Sequence, residues 1–421
     1  MQSPPSDGSV QALANARLSR WLRMDRPTFP HLLQHRSRQT RLSAVREIAR
    51  EQHGICAVAC LFPRLGAPMY THEKVTLSVV AESIARLKGC RFVGEYGPKT
   101  HVAAGLFFVP SDTLMLDEAR DLGIQSPHQL YGAVVPYSFV KTKAITHPLV
   151  AKHAARPRGW SFAFGDRVRD AVLPGYTAFD VGGARLAVKR LLALGPVRVK
   201  EPLGDGGHGQ TVITNIDELE AYLEKFPTDK LASHGLSLEV NLRQVVTRSV
   251  GCTMIGDRSI AYHGTQRSVT NNHGLRVYGG SHIICVRGDW SALDSLPMEM
   301  EARLAVDQAR IYDRNAARYR GFLASRRNYD VGQGIDGTGK WRSGVFEASW
   351  RSGGASTAEL AALTAFAEDS RLQVVETASV KDYGKLRRTP AGATIHFDDD
   401  DPEEGPLIRY TTAARAVRQL A

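Results

Sequence analysis

Residues 197–213 read VRVKEPLGDGGHGQTVI. A short β-run ends in Lys200, a glycine-rich turn follows, and a second β-run starts at Gln210. Gly204, Gly206 and Gly209 satisfy a G-x-G-x-x-G spacing, with Gly207 between them. A dinucleotide fingerprint needs a helix directly after its glycines, so that the helix N-terminus meets the pyrophosphate. Here the strand-like TVIT comes next, and the helical DELEAYLEKF begins only after Asn215. A P-loop is excluded as well, because Gln210 and Thr211 stand where it needs Lys and then Ser or Thr. The stretch therefore reads as a hairpin flap over the phosphates of a nucleotide, with Lys200 supplying a cation from the strand floor. The plainer alternative is a glycine-rich turn whose glycines only supply positive φ.

The rest of the chain sets limits on this reading. At 421 residues it exceeds one usual core, so two or three domains are expected. Its composition, 43% hydrophobic and 23% charged, is that of a soluble globular protein. No apolar run approaches the ~18 residues of a membrane span. The segment MQSPPSDGSV has neither the charged nor the apolar region of a secretory signal, so a cytoplasmic location is expected. Five scattered cysteines (Cys56, Cys60, Cys90, Cys252, Cys285) read as small buried residues in a reducing compartment, not as a zinc site. The net charge of +11 is uneven, because residues 1–50 hold nine arginines against Asp7, Asp25 and Glu47. Beyond that basic, partly disordered extension no basic stripe interleaves with aromatics, so nucleic acid is not the expected partner.

Alternating β- and α-patterns then organise the chain. ICAVACLF (55–62), the amphipathic HEKVTLSVVAESIARLKG (72–89), CRFVGEY (90–96) and GLFFVPSDTLMLDEARDLGI (105–124) suggest a small open α/β layer over 51–155. The last of these reads as a strand followed by a helix starting after Ser111 or Asp112. A second alternation begins near 160 and contains the helix DVGGARLAVKRLLALG (180–195) and the Lys200 hairpin. From 236 longer strands take over: LSLEVNL, VVTRSVGCTMIG, SIAYHGTQRSV and GGSHIICV. A long helix over 298–322 separates them from the block 326–356, and STAELAALTAFAED forms a last helix. DDDDPEE (398–404) reads as an exposed acidic loop in a tail over 391–421.

The chemistry concentrates at a few positions. Glu239 ends a β-run in LSLEVNL, and with Asn241 it could border a nucleoside. Asp330 and Glu347 fall on two β-runs joined by GQGIDGTGK, a turn-forming sequence, so antiparallel pairing can bring both carboxylates to one face. Two hard oxygen ligands beside phosphates are what Mg²⁺ requires. Ser349 shares the strand face of Glu347, and Arg351 alternates onto it as a fork for a carboxylate or acyl phosphate. Arg267 and Arg276 are further cationic candidates for substrate or γ-phosphate, and exposed strand arginines are their plain alternative.

The order of these parts resembles the ATP-grasp superfamily: an α/β layer, a strand ending in Lys200, the glycine flap, an acid-bearing hinge strand, Asp330, then Glu347-Ala-Ser349-Trp-Arg351. RRNYDVGQG together with GVFEASWRSGGAS is similar to an uncharacterised bacterial branch of it, a domain of unknown function. The resemblance implies an α/β (α+β) chain with an ATP-grasp fold and a preceding open α/β layer. Its small lobe with the flap would cover 156–235, and its large lobe with the metal site 236–390. It implies ATP and Mg²⁺ as cofactors, with Lys200, the four glycines, Glu239 and Asn241 on the nucleotide. Asp330, Glu347 and Ser349 would face the metal, and Arg351, Arg267 and Arg276 the reacting groups. Two departures stand out: Ser349 replaces the family's usual Asn, and the family's earlier phosphate-binding Lys matches Lys143, Lys152 or Arg167 without a decision among them.

The activity so implied is an ATP-dependent ligation of a small-molecule carboxylate to an amine through an acyl phosphate. An ATP-grasp-type kinase, a non-catalytic nucleotide-binding protein and a basic nucleic-acid binder are the rival readings. Neither the substrate pair nor the oligomeric state follows from the sequence.

Overall fold

Short strands and helices at the N-terminal side build a parallel layer because apolar runs of strand length alternate with one-sided helices. The computed structural model describes residues 55–62, 70–97, 100, 105–204, 209–385 and 388–417. The basic extension over 1–50 lies outside the described residues. Strands β1 (Ile55–Leu61), β2 (Arg91–Glu95) and β3 (Gly105–Pro110) form a parallel sheet in the order β2–β1–β3. Helix α1 (Thr71–Lys88) buries Leu77, Val80, Ala81 and Ile84, a stripe of helical period, and stops at Gly89 in the left-handed region (φ 65°).

The helix expected after Ser111 or Asp112 starts later. Leu114–Met115 (β4) pairs in parallel with Ala133–Val135 (β5), and α2 covers only Leu116–Asp121. Pairing with β5 keeps those two residues extended, and Glu118 closes the helix start by accepting the Met115 N–H at 2.6 Å.

A four-stranded sheet follows, in the order β6–β9–β7–β8, built from β6 (Gly175–Ala178), β7 (Val197–Lys200), β8 (Gln210–Ile213) and β9 (Leu236–Val240). Helix α3 (Phe162–Val168) precedes β6, and α4 (Val181–Leu191), α5 (Ile216–Lys225) and α6 (Thr228–His234) lie between the strands in sequence. Asp180 and Asn215 cap α4 and α5 with their side chains. The Lys200 hairpin is antiparallel, with Lys200 opposite Gln210.

The largest sheet has nine strands: β10 (Arg243–Ile255), β11 (Arg258–Thr270), β12 (Arg276–Arg287), β14 (Arg326–Ile335), β15 (Trp341–Ser349), β16 (Val374–Tyr383), β17 (Thr394–Asp401), β18 (Gly405–Thr411) and β19 (Arg415–Ala416). The short β13 (Leu323–Ala324) pairs instead with β5. Alternation gives the large sheet two different faces. Val250, Tyr329, Val331 and Val345 pack with Ala305, Val306, Ala309 and Tyr312 of helix α7 (Met300–Ala316). Tyr262, Ile283 and Cys285 share a separate core with helix α8 (Ser356–Glu368) and α1.

Helix α7 is shorter than the expected 298–322. Past Ala316 the chain turns so that Tyr319 and Phe322 enter the core, Tyr319 against Phe139 and Phe322 edge-on to Trp350. The acidic run is exposed at Asp398, Asp399, Asp400, Pro402 and Glu403, as expected, but it is the end of β17 and the turn into β18, and Asp401 and Glu404 are buried. Asp401 accepts from the His72 main-chain N–H at 3.0 Å and meets the His72 ring Nδ1 at 2.9 Å, which ties the C-terminal hairpin to α1.

Candidate active site

The Lys200 strand ends where the flap begins. Glu201 N–H donates to Gly209 O at 2.8 Å, closing the hairpin base, and Gly209 takes φ 66°, where a side chain would be strained. Gly204 is described; Gly206, Gly207 and His208 lie outside the described residues. Lys200 is buried, with its Nζ 2.5 Å from Glu239 Oε1 and 4.3 Å from the centre of the Phe346 ring. Burial lowers the Lys200 ammonium below its ordinary range, and Glu239 offsets only part of this.

Glu239 does not present its carboxylate to an opening, as its place at a strand end suggested. It is turned inward from the central strand of the small sheet and is 1% exposed. Its other oxygen lies 2.9 Å from His147 Nε2. Burial alone would raise this carboxyl, but Lys200 and His147 outweigh burial and hold it below the usual carboxylate range. The His147 ring lies where a side chain on Gly175 would be, since a Cβ there would sit 2.7 Å from His147 Nδ1 and from Leu238 O. Asn241 is also engaged, its Oδ1 accepting from Arg198 Nη2 at 2.7 Å and Nε at 3.1 Å. Arg198 reaches on to Gln210 Oε1 at 3.1 Å, so Asn241 braces the two flap strands.

The carboxylate pair forms as the hairpin pattern predicts. Asp330 and Glu347 are directly opposite on β14 and β15. A register shift beside this pair leaves Phe346 as an extra residue. A Cβ on Gly332 would fall 1.8 Å from the Phe346 ring, so that ring lies on the Gly332 side of the sheet, the side of Asp330. The bulge thereby brings the ring under Lys200 and the carboxylate of Glu347 onto one face. Burial first, and then the charge of Glu347, push the Asp330 carboxyl up to about 6. Asn328 Nδ2 donates to Asp330 Oδ1 at 2.9 Å, and Gln266 Nε2 reaches the neighbouring Ser249 Oγ at 3.0 Å.

Of the three candidates for the earlier cation, Lys143 is the one that stands beside these groups. It sits in a 3₁₀ turn, Lys143–Ile145, capped by the Thr142 hydroxyl, and its side chain is 5% exposed. Its Nζ lies 2.9 Å from Glu347 Oε2 and also donates to Gly204 O at the flap base. Neither Lys152 nor Arg167 shares a hydrogen bond or ion pair with these groups among the described residues. Lys200 with Glu239, and Lys143 with Glu347 beside Asp330, thus gather between the small sheet and the β14–β15 hairpin.

Ser349 stands opposite Asn328, next to the carboxylate row. Its carbonyl accepts from Arg326 Nη1 at 3.1 Å, and the same nitrogen donates to Arg351 O, so one guanidinium holds the turn that carries both residues. Arg326 is itself clamped by Glu359 of α8 through Nη2 at 2.6 Å and Nε at 3.0 Å. Tyr131 and Thr253 each donate to Glu359 Oε2 at 2.7 Å. Nothing in the sequence singled out this fully buried group. Its one trace is an acid set among apolar residues in the first turn of STAELAALTAFAE.

Two predicted residues stay outside the cluster. Arg267 follows Gln266 on β11, and alternation sends it to the opposite face, where it pairs with Asp382 Oδ1 at 2.6 Å. Arg276 opens β12, exposed and opposite Thr270.

Several solved structures are similar to the chain. N5-carboxyaminoimidazole synthetase from Staphylococcus aureus, complexed with ADP, is 10% identical over 86% of this chain and 94% of its own, with a TM-score of 0.46. Biotin carboxylase from Campylobacter jejuni, in a β,γ-ATP complex, is 11% identical over 84% and 86%, with a TM-score of 0.47. Phosphoribosylamine–glycine ligase from Thermotoga maritima is 12% identical over 86% and 92%, with a TM-score of 0.46. No curated protein matches the chain in sequence. A family model does match it, over residues 65–411, and the chain therefore belongs to the family described as "Protein of unknown function (DUF3182)".

Proposed function

We propose that this chain has an ATP-grasp fold and is an ATP- and Mg²⁺-dependent ligase that joins a carboxylate to an amine or a similar nucleophile. The observation that carries the reading is the meeting of Lys143 and Lys200 with Asp330 and Glu347 under the base of a glycine hairpin. The donor set fits the groups it would hold. Mg²⁺ binds through one or two carboxylates together with phosphate oxygens and water, and two carboxylates repelling each other in a desolvated place suit a small dication. Among the described residues no larger cage of His, Cys, Asp or Glu competes for a metal. Two desolvated ammonium groups a short reach from that pair suit a polyphosphate.

Bound MgATP would supply the phosphoryl group that activates a carboxylate as an acyl phosphate for attack by an amine. The protein's part is placement and charge. Lys200, backed by Glu239 and His147, would hold phosphate oxygens from the floor of the small lobe. Lys143 would hold them from the flap base, and the hairpin from Gly204 to Gly209 would cover them. Asp330 and Glu347 would hold the metal, and Ser349 would contact it through water. Arg351, carried on the turn fixed by Arg326, would face the reacting carboxylate. Fixed charges of this kind lower a phosphoryl-transfer barrier without reorganising during the step.

Incubation with labelled ATP, Mg²⁺ and a metabolite extract, followed by mass analysis, tests the reading. ADP, phosphate and a new amide-like adduct are expected. A phosphorylated metabolite would favour the kinase reading instead, and nucleotide binding without turnover a regulatory one. Full activity of the Asp330→Asn/Glu347→Gln double variant would remove the metal assignment.

A further inference from the structure

The face of the large sheet that carries Asp330 continues, strand by strand, away from the lysines. Asp330 is opposite Ser249; one row along, Gln266, Ser281, Ser379 and Thr411 are successive partners across β11, β12, β16 and β18. Tyr278 Oη lies 2.7 Å from Ser281 Oγ, which lies 3.4 Å from Ser249 Oγ, so hydroxyl groups lead from the carboxylates outward. The row ends in two cations. Lys381 and Arg409 are direct cross-strand partners, and they line a small polar cavity with Thr76, Tyr278, Thr357 and His396.

Like charges directly opposite one another destabilise a sheet. Lys381 has an acid, Glu404, at 3.5 Å. Among the described residues no hydrogen bond or ion pair holds the Arg409 side chain, and the field of Glu73 is the largest that counters its charge. Arg409 is half-buried, and a partly desolvated guanidinium beside a lysine favours a counter-charge. Arg409 also helps to keep the rings of His72 and His396 neutral, which marks the cavity as electropositive. A guanidinium fork with an ammonium beside it matches the oxygens of a carboxylate or a phosphate.

We infer that the substrate handled at this site carries an oxyanion group, a carboxylate or a phosphate, bound by Arg409 with Lys381 at the end of the hydroxyl row remote from Lys143 and Lys200. The inference rests on the ligase reading for what lies at the other end of the row, but not for the anion site itself.

The test is calorimetric titration of the full chain with inorganic phosphate and with malonate, each with and without saturating ADP and Mg²⁺. Oxyanion binding that persists when ADP and Mg²⁺ are bound is expected in the wild-type protein, because the lysine site is then filled. Arg409→Gln should weaken it at least tenfold and leave ADP affinity within twofold; Lys381→Met should weaken it less. The stronger of the two probes identifies the group as phosphate-like or carboxylate-like. Oxyanion binding unchanged in Arg409→Gln, or abolished in the wild type by ADP and Mg²⁺, would overturn the inference. Should Arg409→Gln not fold, an unchanged affinity in Lys381→Met overturns it equally. Failure of ADP to bind at all, with Arg409-dependent oxyanion binding intact, would sink the nucleotide reading and spare the anion site.

Discussion

At the scale of single residues, each cation of the candidate site already has an acid. Lys200 is held by Glu239, and Lys143 by Glu347. A nucleotide that takes Lys143 without a metal strands Glu347 beside Asp330, and a metal that takes Glu347 without a nucleotide strands Lys143 near Lys200. Breaking one side of a buried pair is costly, so nucleotide and metal should bind cooperatively. Lys143→Met is expected to weaken ADP binding about tenfold or more, since a charge-assisted contact is worth ~1.5–3 kcal/mol. Glu347→Gln should free Lys143, tighten metal-free ADP binding and abolish its dependence on Mg²⁺. Calorimetric titrations of ADP with and without Mg²⁺ read both effects, and an unaltered Mg²⁺ dependence in Glu347→Gln would contradict the coupling. Gly175→Ala makes a separate prediction. Its methyl group would meet the His147 ring, so a loss of ~1–3 kcal/mol in urea unfolding should accompany weaker ADP binding. Much at this scale was legible in the sequence. Lys200, Asp330 and Glu347 stand on alternating strands beside recognisable turns. Lys143 could not be ranked, because it sits in a 3₁₀ turn without periodicity, and Glu239 gave no sign that its carboxylate turns inward.

At the scale of elements, the site depends on a helix that never touches it. Glu359 of α8 clamps Arg326 of β14, and Arg326 holds the carbonyls of Ser349 and Arg351. Tyr262 Oη lies 2.8 Å from Glu359 Oε1 and 2.9 Å from Asn328 Oδ1, and Asn328 in turn holds Asp330. Burial alone would raise the Glu359 carboxyl, but Arg326 and its hydroxyl donors hold it below the usual range. Glu359→Gln leaves a buried guanidinium without its counter-charge and should cost ~3–5 kcal/mol in urea unfolding. Replacing both partners, Arg326→Met with Glu359→Leu, should recover much of that stability. The double variant should still bind Mn²⁺ with ADP more weakly than the wild type, because the turn has lost its anchor. Wild-type Mn²⁺ affinity in a stable double variant would show that the network serves stability alone. The elements themselves were largely readable from apolar periodicity and turn residues. The clamp was not, because helical pattern records which face is apolar and cannot say which distant strand a buried acid will meet.

At the scale of the whole molecule, acid stability tests how tightly the C-terminal hairpin is bound to the rest. Three histidines with buried rings are kept neutral, each pushed down to about 4: His72, His263 and His396. Burial is the first cause in all three, reinforced by Lys381 and Arg409 at His72, by Arg248 and Arg303 at His263, and by Arg409 at His396. A folded-state value below the unfolded one means that the unfolded chain binds more protons between about pH 4 and 6.5. The stability these groups contribute is therefore complete above about pH 6.5 and is lost as the pH falls toward 4. Asp330, pushed up to about 6, acts in the opposite sense: it favours the folded state on acidification through the same window and offsets one histidine. Asp401, held down to about 2, adds a further loss only below about pH 4. The expected result is a urea midpoint that falls steadily from pH 7 to pH 4.5. His263→Phe should make that slope shallower, because one fewer proton is then taken up on unfolding. His72→Asn should do the same while loosening the contact between α1 and β17, since His72 meets Asp401 through both its ring and its main chain. The run DDDDPEE pointed to a solvated loop because charge density alone favours water. Asp401 within it is buried against a histidine 329 residues earlier in the chain, and sequence proximity carries no information about such a pair. A urea midpoint independent of pH over this range, in wild type and variants alike, would mean that the three rings take up protons without unfolding.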